Sequence, residues 1–300
     1  MKNYTFYSVD DLISELTKLA SKGDYVFRGY SIQDQMLPNI IRKKATGIEL
    51  ELLYEFEKYA SQYVSVNNPI DFMSYAQHFG LSTRLLDFTY NPFVALYFAL
   101  FKSKANNNNN PEDNDYYYIR YCDIKDNLYL QEIPIVNEGE FFKSFSMSES
   151  CKKLFQTLDI IYNNSEKPPF INKPAAIKTI SKSINGETDE TEIVTAITQK
   201  VDDRKLLLVD PNQSNQRIVM QQGLFLLCYS LDENEHRDII NQNTNVIKIH
   251  KSLRDELQVY LNTIGINAFR LMPDLASVCE AVERQVKERR NKKSKLFKKR

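Results

Sequence analysis

The sequence lacks the motifs by which several common enzyme classes are recognised. It contains no GxGxxG or GxxxxGK[ST] phosphate loop, no GxSxG hydrolase motif and no HExxH zinc motif. Only three histidines are present, at positions 78, 236 and 250. These absences argue against the usual phosphate-binding loops, the α/β-hydrolases and the histidine-based zinc enzymes, and we expect no metal site.

The chain also lacks a membrane span and a disulfide framework. No apolar run approaches the roughly 18 residues that a span requires, and the opening residues lack the basic and then apolar pattern of an export signal. The cysteines, at positions 122, 151, 228 and 279, lie far apart and form no CxxC pair. We therefore expect a cytoplasmic protein with no membrane partner, whose thiols are reduced and mostly buried.

The net charge of zero conceals a strong asymmetry. Residues 286–300 contain nine Lys or Arg and one acid, so this tail carries +8 and residues 1–285 carry −8. An acidic body is poorly suited to following a phosphate backbone. We expect no nucleic-acid partner except through the tail, which otherwise extends the last helix into solvent or contacts an acidic partner.

Helical and extended patterns alternate irregularly along the chain. Leu12, Leu16 and Leu19 recur at helical spacing between a capping Ser8 and Gly23, which predicts a first helix. The lack of a regular βαβ rhythm favours an α+β fold. Further helices are predicted at about 49–66, from Asp71 to Gly80, from Asn91 onwards, at about 252–264 and at 274–286, and strands at 25–29, 116–121, 206–209, 224–229 and 246–249.

The most informative stretch runs through residues 75–89 into the helix that begins at Asn91. That helix is apolar nearly all round, so we expect it to be buried. Arg84 and Asp87 precede it, three residues apart, and we expect them to form an ion pair, because a lone buried charge is costly. Two interpretations stay open for this pair: a structural clamp on the loop, or a catalytic role.

Several short motifs resemble those of the FRG-domain family. Ser82 stands where that family usually has proline, and Phe88 where it usually has tryptophan. The resemblance implies an N-terminal helix over residues 1–20, an FRG domain over 21–285 and a basic C-terminal tail over 286–300. The matching motifs are Phe27-Arg28-Gly29, residues 77–87 (QHFGLSTRLLD), Asn91-Pro92, residues 95–99 (ALYFA), Arg217-Ile218, residues 221–225 (QQGLF), Gly265-Ile266 and Pro273-Asp274-Leu275.

The order of these motifs is more distantly similar to the ADP-ribosyltransferase fold, in which a cleft between two small sheets holds NAD. This similarity implies an α+β fold with small, strongly bent or split β-sheets that form a cleft and are packed with helices. It also implies NAD as the cofactor and substrate. NAD would be bound by Arg28 at its phosphates, with Gly29 allowing close approach of the backbone. Ser82, Thr83 and Arg84 would be the other NAD-binding residues.

The catalytic residues implied by the similarity are Gln222 and Asp87. The chain has Gln221 and Gln222 where a transferase has glutamate, and an amide cannot stabilise a cationic sugar as a carboxylate does. Three alternatives stay open: a transferase that tolerates glutamine, catalysis assisted by Asp87, or a fold that binds a nucleotide without consuming it.

The similarity to the ADP-ribosyltransferase fold implies one functional hypothesis, and the arginines of the chain support a second. The first is an NAD-dependent ADP-ribosyltransferase or NAD glycohydrolase, acting as a toxin or anti-phage effector with a protein acceptor or an antitoxin partner. The second is a non-catalytic module that recognises a nucleotide, another anion or a protein. In that case Arg28, Arg84 and Arg217 would bind the anionic ligand or a partner's carboxylate.

Overall fold

Strands and helices alternate irregularly in the fold, which is mixed α+β as the sequence predicts. The computed structural model describes residues 3–31, 36–63, 66, 68–101, 115–129, 146–165, 204–212, 216–275, 278–279, 281–283, 286–287 and 290. Most of the basic tail over 286–300 and part of the helix expected at 274–286 therefore lie outside the described residues.

The strands are β1 (Asn3–Phe6), β2 (Tyr25–Tyr30), β3 (Leu85–Thr89), β4 (Tyr116–Asp123), β5 (Leu128–Tyr129), β6 (Leu207–Val209), β7 (Gly223–Leu227) and β8 (Asn245–His250). The helices are α1 (Val9–Lys22), α2 (Asn39–Arg42), α3 (Glu49–Ala60), α4 (Pro69–His78), α5 (Pro92–Phe101), α6 (Met147–Ser165), α7 (Gln216–Gln221), α8 (Glu233–Asn243), α9 (Arg254–Thr263) and α10 (Ala268–Leu271), with 3-10 turns at Thr46–Ile48 and Lys251–Leu253.

The ends of the helices agree with the predictions from sequence for α1 but not for α4. The Ser8 hydroxyl accepts the Asp11 N–H at 3.4 Å at the start of α1, and Gly23 ends it with a left-handed φ of 76°. Helix α4 was predicted to begin at Asp71 but begins at Pro69: Asn68 caps it, and the Asn68 side-chain oxygen accepts the N–H of Asp71 at 2.8 Å. Strand β1, which precedes α1 and pairs in parallel with β8, was not predicted.

The eight described strands form a single sheet in the order β1-β8-β4-β2-β3-β7-β6-β5. Strand β2 pairs with β4 along its whole length, and β3 pairs with β7 along its whole length. Between β2 and β3, however, the only registered pair is Phe27 with Thr89. The expectation of small, strongly bent or split sheets is met in part: the described strands belong to one sheet, but its two halves are barely joined.

Helices cover both faces of this sheet. On one face α1, α5 and α9 pack against β2, β4 and β8 through buried apolar side chains such as Leu16, Leu96 and Leu257. On the other face α3, α4, α6 and α8 contribute a second apolar cluster. Burial of these side chains from water is the main favourable contribution to folding.

Helix α5 lies against the sheet at Gly29, which confirms the expected buried helix. A Cβ atom built on Gly29 would lie only 1.7 Å from the carbonyl oxygen of Ala95. The helix could not approach β2 this closely beside any other residue. The missing side chain therefore makes room for α5, and the expected role of Gly29 beside a ligand stays a prediction.

Two further expectations concern membranes and thiols. Within the described ranges, no helix has both the length and the apolar character needed to cross a bilayer. The cysteines are free; Cys122, Cys151 and Cys228 are buried and Cys279 is exposed. Mostly buried thiols are thus confirmed.

His236 on α8 provides a pH-dependent contribution to stability. Its ring is buried, and its Nε2 lies 3.0 Å from the carbonyl oxygen of Met36, so the neutral ring donates there. Burial lowers the pKa of His236 to about 4. Because this pKa lies below that of the unfolded chain, the contribution is present above about pH 6.5 and is lost as the pH falls towards 4.

We predict that His236→Gln removes this pH dependence. The glutamine amide can still donate to the Met36 carbonyl but does not titrate. The difference in free energy of unfolding between wild type and variant should shift by about 3 kcal/mol in favour of the variant between pH 7 and pH 4. Urea melts at both pH values measure it, and parallel pH profiles for the two proteins would contradict the prediction.

Candidate functional site

Two adjoining cavities lie where the halves of the sheet diverge. The smaller, about 30 Å³, lies between β2, β3 and α5. The larger, about 150 Å³, is lined by side chains of α4, α7 and β7 and by Asn39 of α2. Asp87, Arg217 and Gln221 line both cavities, so the two form one cleft. We call this pair of cavities the cleft.

Arg28 spans the divergence between the two half-sheets. Its Nη1 donates to the main-chain carbonyl of Asp87 at 2.5 Å and lies 3.7 Å from the carboxylate oxygen Oδ2 of the same residue. The Arg28 side chain is 10% exposed and lines the smaller cavity. Burial lowers the pKa of Arg28, and the nearby Asp87 carboxylate opposes that effect. The arginine therefore joins the half-sheets while its guanidinium borders the cleft.

Asp87 presents its carboxylate at the centre of the cleft. Its side chain is 53% exposed even though its neighbours Leu86 and Phe88 are buried. The carboxylate oxygen Oδ1 accepts a hydrogen bond from Gln77 Nε2 at 2.9 Å. Among the described residues lining the two cavities, Asp87 is the one acidic side chain. A carboxylate that is both oriented and accessible can stabilise a nearby positive charge or accept a proton.

A second guanidinium, that of Arg217, enters the cleft from α7. Its Nη1 lies 3.4 Å from Nδ1 of His78 at the end of α4. Since arginine can only donate, His78 accepts at Nδ1 and is neutral in this arrangement. Burial, and then the charge of Arg217, lower the pKa of His78, while Asp274 opposes the shift. The structure places His78 in the lining of the larger cavity.

Ser82, Thr83 and Arg84 are buried and do not line the cleft. In the smaller cavity the neighbours of Arg28 include Asp87, Arg217 and Gln221. The cofactor-binding roles assigned to Ser82 and Thr83 stay predictions.

Arg84 is held in a buried ion pair with Glu49, the first residue of α3. Its Nε and Nη2 donate to Glu49 Oε2 at 2.9 and 2.7 Å, and its backbone N–H donates to Oε1 at 2.9 Å. The Phe155 ring of α6 lies 3.5 Å from the guanidinium carbon. This contact network fixes α3 and α6 to the start of β3, so the structure favours a structural role for Arg84 over cofactor binding.

The predicted ion pair between Arg84 and Asp87 is wrong, for a geometric reason. A spacing of three residues brings side chains together on a helix, but in extended chain it places them on opposite sides. Asp87 lies within β3 and Arg84 directly precedes it. Arg84 consequently faces the interior at Glu49, while Asp87 faces the cleft.

The two glutamines after Arg217 differ in their position relative to the cleft. Gln222 adopts a left-handed backbone with φ of 47°, and its side chain is exposed outside both cavities. Gln221 lines both cavities, and its Nε2 donates to the Leu271 carbonyl at 2.9 Å. The structure thus brings Gln221 to the cleft, and the catalytic role assigned to Gln222 stays a prediction.

Comparison with known families gives one match. Residues 23–108 match the FRG domain. No curated protein and no solved structure matches the chain. The FRG domain match begins just before β2 and includes α4, β3 and α5, so it supplies Arg28, Asp87 and the Gln77 side of the cleft. It is shorter than the range 21–285 expected from the motifs, and the outer bounds of that range stay a prediction.

The FRG domain segment forms only part of the cleft. Arg217 and Gln221 lie beyond residue 108 and close it from the opposite side. Sequence reasoning named Gln77 within a family motif but gave it no role, although its position ten residues before Asp87 in the same motif was the available signal. For Glu49 no local signal existed, because it lies 35 positions from Arg84.

We predict that Arg84→Ala destabilises the fold by about 3–5 kcal/mol, because it leaves the buried Glu49 carboxylate without its partner. Asp87→Ala should cost much less, since the Asp87 side chain is half exposed. Denaturant melts compare these two variants with Arg237→Ala, a control that removes an exposed pair with Glu233 on α8. Equal losses for Arg84→Ala and Asp87→Ala would contradict the assignment of Glu49 as the partner.

Proposed function

We propose that the cleft binds an anionic ligand of the nucleotide class, with Arg28 and Arg217 as the phosphate-binding residues. The observation that carries this proposal is the convergence of two guanidinium groups, one from strand β2 and one from helix α7, on adjoining cavities. Guanidinium groups bind phosphate oxygens through paired, charge-assisted hydrogen bonds. Their positions on separate elements suit a ligand that bridges β2 and α7.

The polar lining of the larger cavity supports a ligand with hydroxyl or amide groups as well as phosphate. Asn39, Gln77 and His78 contribute side-chain donors and acceptors there. A cavity of about 150 Å³ is smaller than the space that a whole nucleotide fills. We therefore propose that it receives one polar group of the ligand and that the remainder lies along the open mouth of the cleft.

The binding proposal predicts that Arg217→Ala weakens affinity for ADP-ribose roughly 10- to 100-fold, because charge-assisted hydrogen bonds contribute about 1.5–3 kcal/mol each. Isothermal titration calorimetry with ADP-ribose, NAD and pyrophosphate measures the effect. Arg237→Ala, which lies outside both cavities, is the matched control for loss of one arginine. If Arg217→Ala and Arg237→Ala bind equally well, the cleft is not the phosphate site.

A second candidate function is favoured by the accessible carboxylate of Asp87. We propose that the nucleotide is NAD and that the protein is an ADP-ribosyltransferase or NAD glycohydrolase. The bond between the nicotinamide nitrogen and ribose C1′ would break, with nicotinamide leaving with the electron pair. Water or an acceptor side chain would then form the new bond to C1′ and lose its proton. Asp87 would stabilise the cationic sugar and could accept that proton.

This chemistry would explain how the site functions without the glutamate of a typical transferase. In this proposal Asp87 supplies the negative charge that Gln221 and Gln222 cannot. Unrestrained cleavage of NAD harms the host cell, which would suit a toxin or anti-phage effector, controlled by an antitoxin partner and acting on a protein acceptor. The binding function and the NAD chemistry share the same cleft but differ in whether the ligand is consumed.

We predict that Asp87→Asn lowers nicotinamide release from NAD about 10²-fold or more while changing NAD affinity little, because only the charge is removed. Gln222→Ala should leave release unchanged and Gln221→Ala should reduce it, since only Gln221 lines the cleft. Chromatographic quantification of nicotinamide at equal folded concentration tests both. If the wild type binds NAD without releasing nicotinamide, the NAD chemistry is contradicted and only the binding function is supported.

A further inference from the structure

Thr83 lies at the start of a hydrogen-bond chain that ends on Asp87. The Leu85 N–H donates to Thr83 Oγ1 at 3.3 Å, and that hydroxyl donates to Gln77 Oε1 at 2.5 Å. Gln77 Nε2 in turn donates to Asp87 Oδ1 at 2.9 Å. Thr83 is completely buried and does not line the cleft, so it reaches the cleft only through Gln77.

The side chains of Thr83, Gln77 and Asp87 allow only one direction for this series of hydrogen bonds. An ionised carboxylate only accepts hydrogen bonds, so Gln77 must turn its NH₂ group towards Asp87. Its carbonyl oxygen then faces Thr83, and only the hydroxyl proton can satisfy it. The Thr83 oxygen meanwhile accepts from the Leu85 N–H, which leaves its proton available for Gln77. The orientation of the amide therefore follows from donor and acceptor capacity.

We propose that Thr83 is a positioning residue for Asp87, acting through the amide of Gln77. This proposal rests on the proposed function, in which Asp87 meets the reacting sugar. Without the hydroxyl, the Gln77 carbonyl oxygen loses its donor in a half-buried place, and the amide turns towards solvent. Asp87 then loses the hydrogen bond that fixes its carboxylate on the side away from Arg28. This series of hydrogen bonds explains why a buried threonine and a glutamine accompany the aspartate of the cleft.

The spacing of the three residues follows from the elements that carry them. Gln77 lies in the last turn of α4, Thr83 in the connection to β3, and Asp87 at the middle of β3. The connection folds back so that the buried Thr83 hydroxyl lies beside the helix end. Helix, connection and strand thus meet at the Gln77 amide, so a substitution at Thr83 can move Gln77 and Asp87 without replacing any residue that lines the cleft.

The test uses the full chain and two substitutions at one position. Thr83→Val has nearly the same shape and loses only the hydroxyl, whereas Thr83→Ser retains the hydroxyl and loses a methyl group. The first readout is the pair of side-chain amide resonances of Gln77 in ¹H–¹⁵N NMR spectra, assigned with Gln77→Asn. We expect these resonances to move in Thr83→Val and to return close to their wild-type positions in Thr83→Ser.

The second readout separates the positioning role from a general loss of stability. Nicotinamide release should fall roughly 10- to 100-fold in Thr83→Val, as expected for a displaced catalytic group, and recover in Thr83→Ser, with NAD affinity nearly unchanged in both. Unmoved Gln77 resonances in Thr83→Val would overturn the proposal. If wild type releases no nicotinamide, the NAD chemistry fails, while the resonances still decide whether Thr83 controls the Gln77 amide.

Discussion

The contact between the Arg28 guanidinium and the main-chain carbonyl of Asp87 joins the two halves of the sheet where strand pairing fails. Only Phe27 and Thr89 are in register between β2 and β3, so the two strands are not paired beyond these residues. A charged side chain takes the place of the missing ladder hydrogen bonds. The divergence opens the cleft, and the group that bridges it is also the group that can meet an anion. Architecture and candidate chemistry thus depend on the same arginine.

The surrounding structure stabilises this junction from both faces of the sheet. Helix α5 lies against Gly29, one residue after Arg28, and fixes the end of β2. On the other side the ion pair of Arg84 with Glu49 fixes the start of β3. Both restraints are buried, whereas Asp87 between them remains accessible. A rigid frame around an open carboxylate is the arrangement expected of a preorganised binding or catalytic site.

The sequence predicted those features that depend on short-range physics. The all-apolar composition of α5, the glycine that ends α1 and the β-favouring run of β2 each specify their own structure. The errors arose where long-range contacts decide. A helix-like spacing suggested an ion pair of Arg84 with Asp87, but extended backbone separates them. Likewise α6, α7 and α8 were not predicted. The left-handed backbone at Gln222 was not expected either, because glycine is the residue that usually adopts it.

The central claim is that the divergence between β2 and β3 is a nucleotide-binding cleft, and mapping of ligand contacts by NMR tests it most directly. Titration of ¹⁵N-labelled protein with ADP-ribose should give saturable shifts of the backbone amides of Arg28, Asp87, Arg217 and Gln221. The same titration of the Arg217→Ala variant should require far more ligand. Saturable shifts confined to other surfaces, or no shifts at millimolar ligand, would contradict the assignment of the cleft.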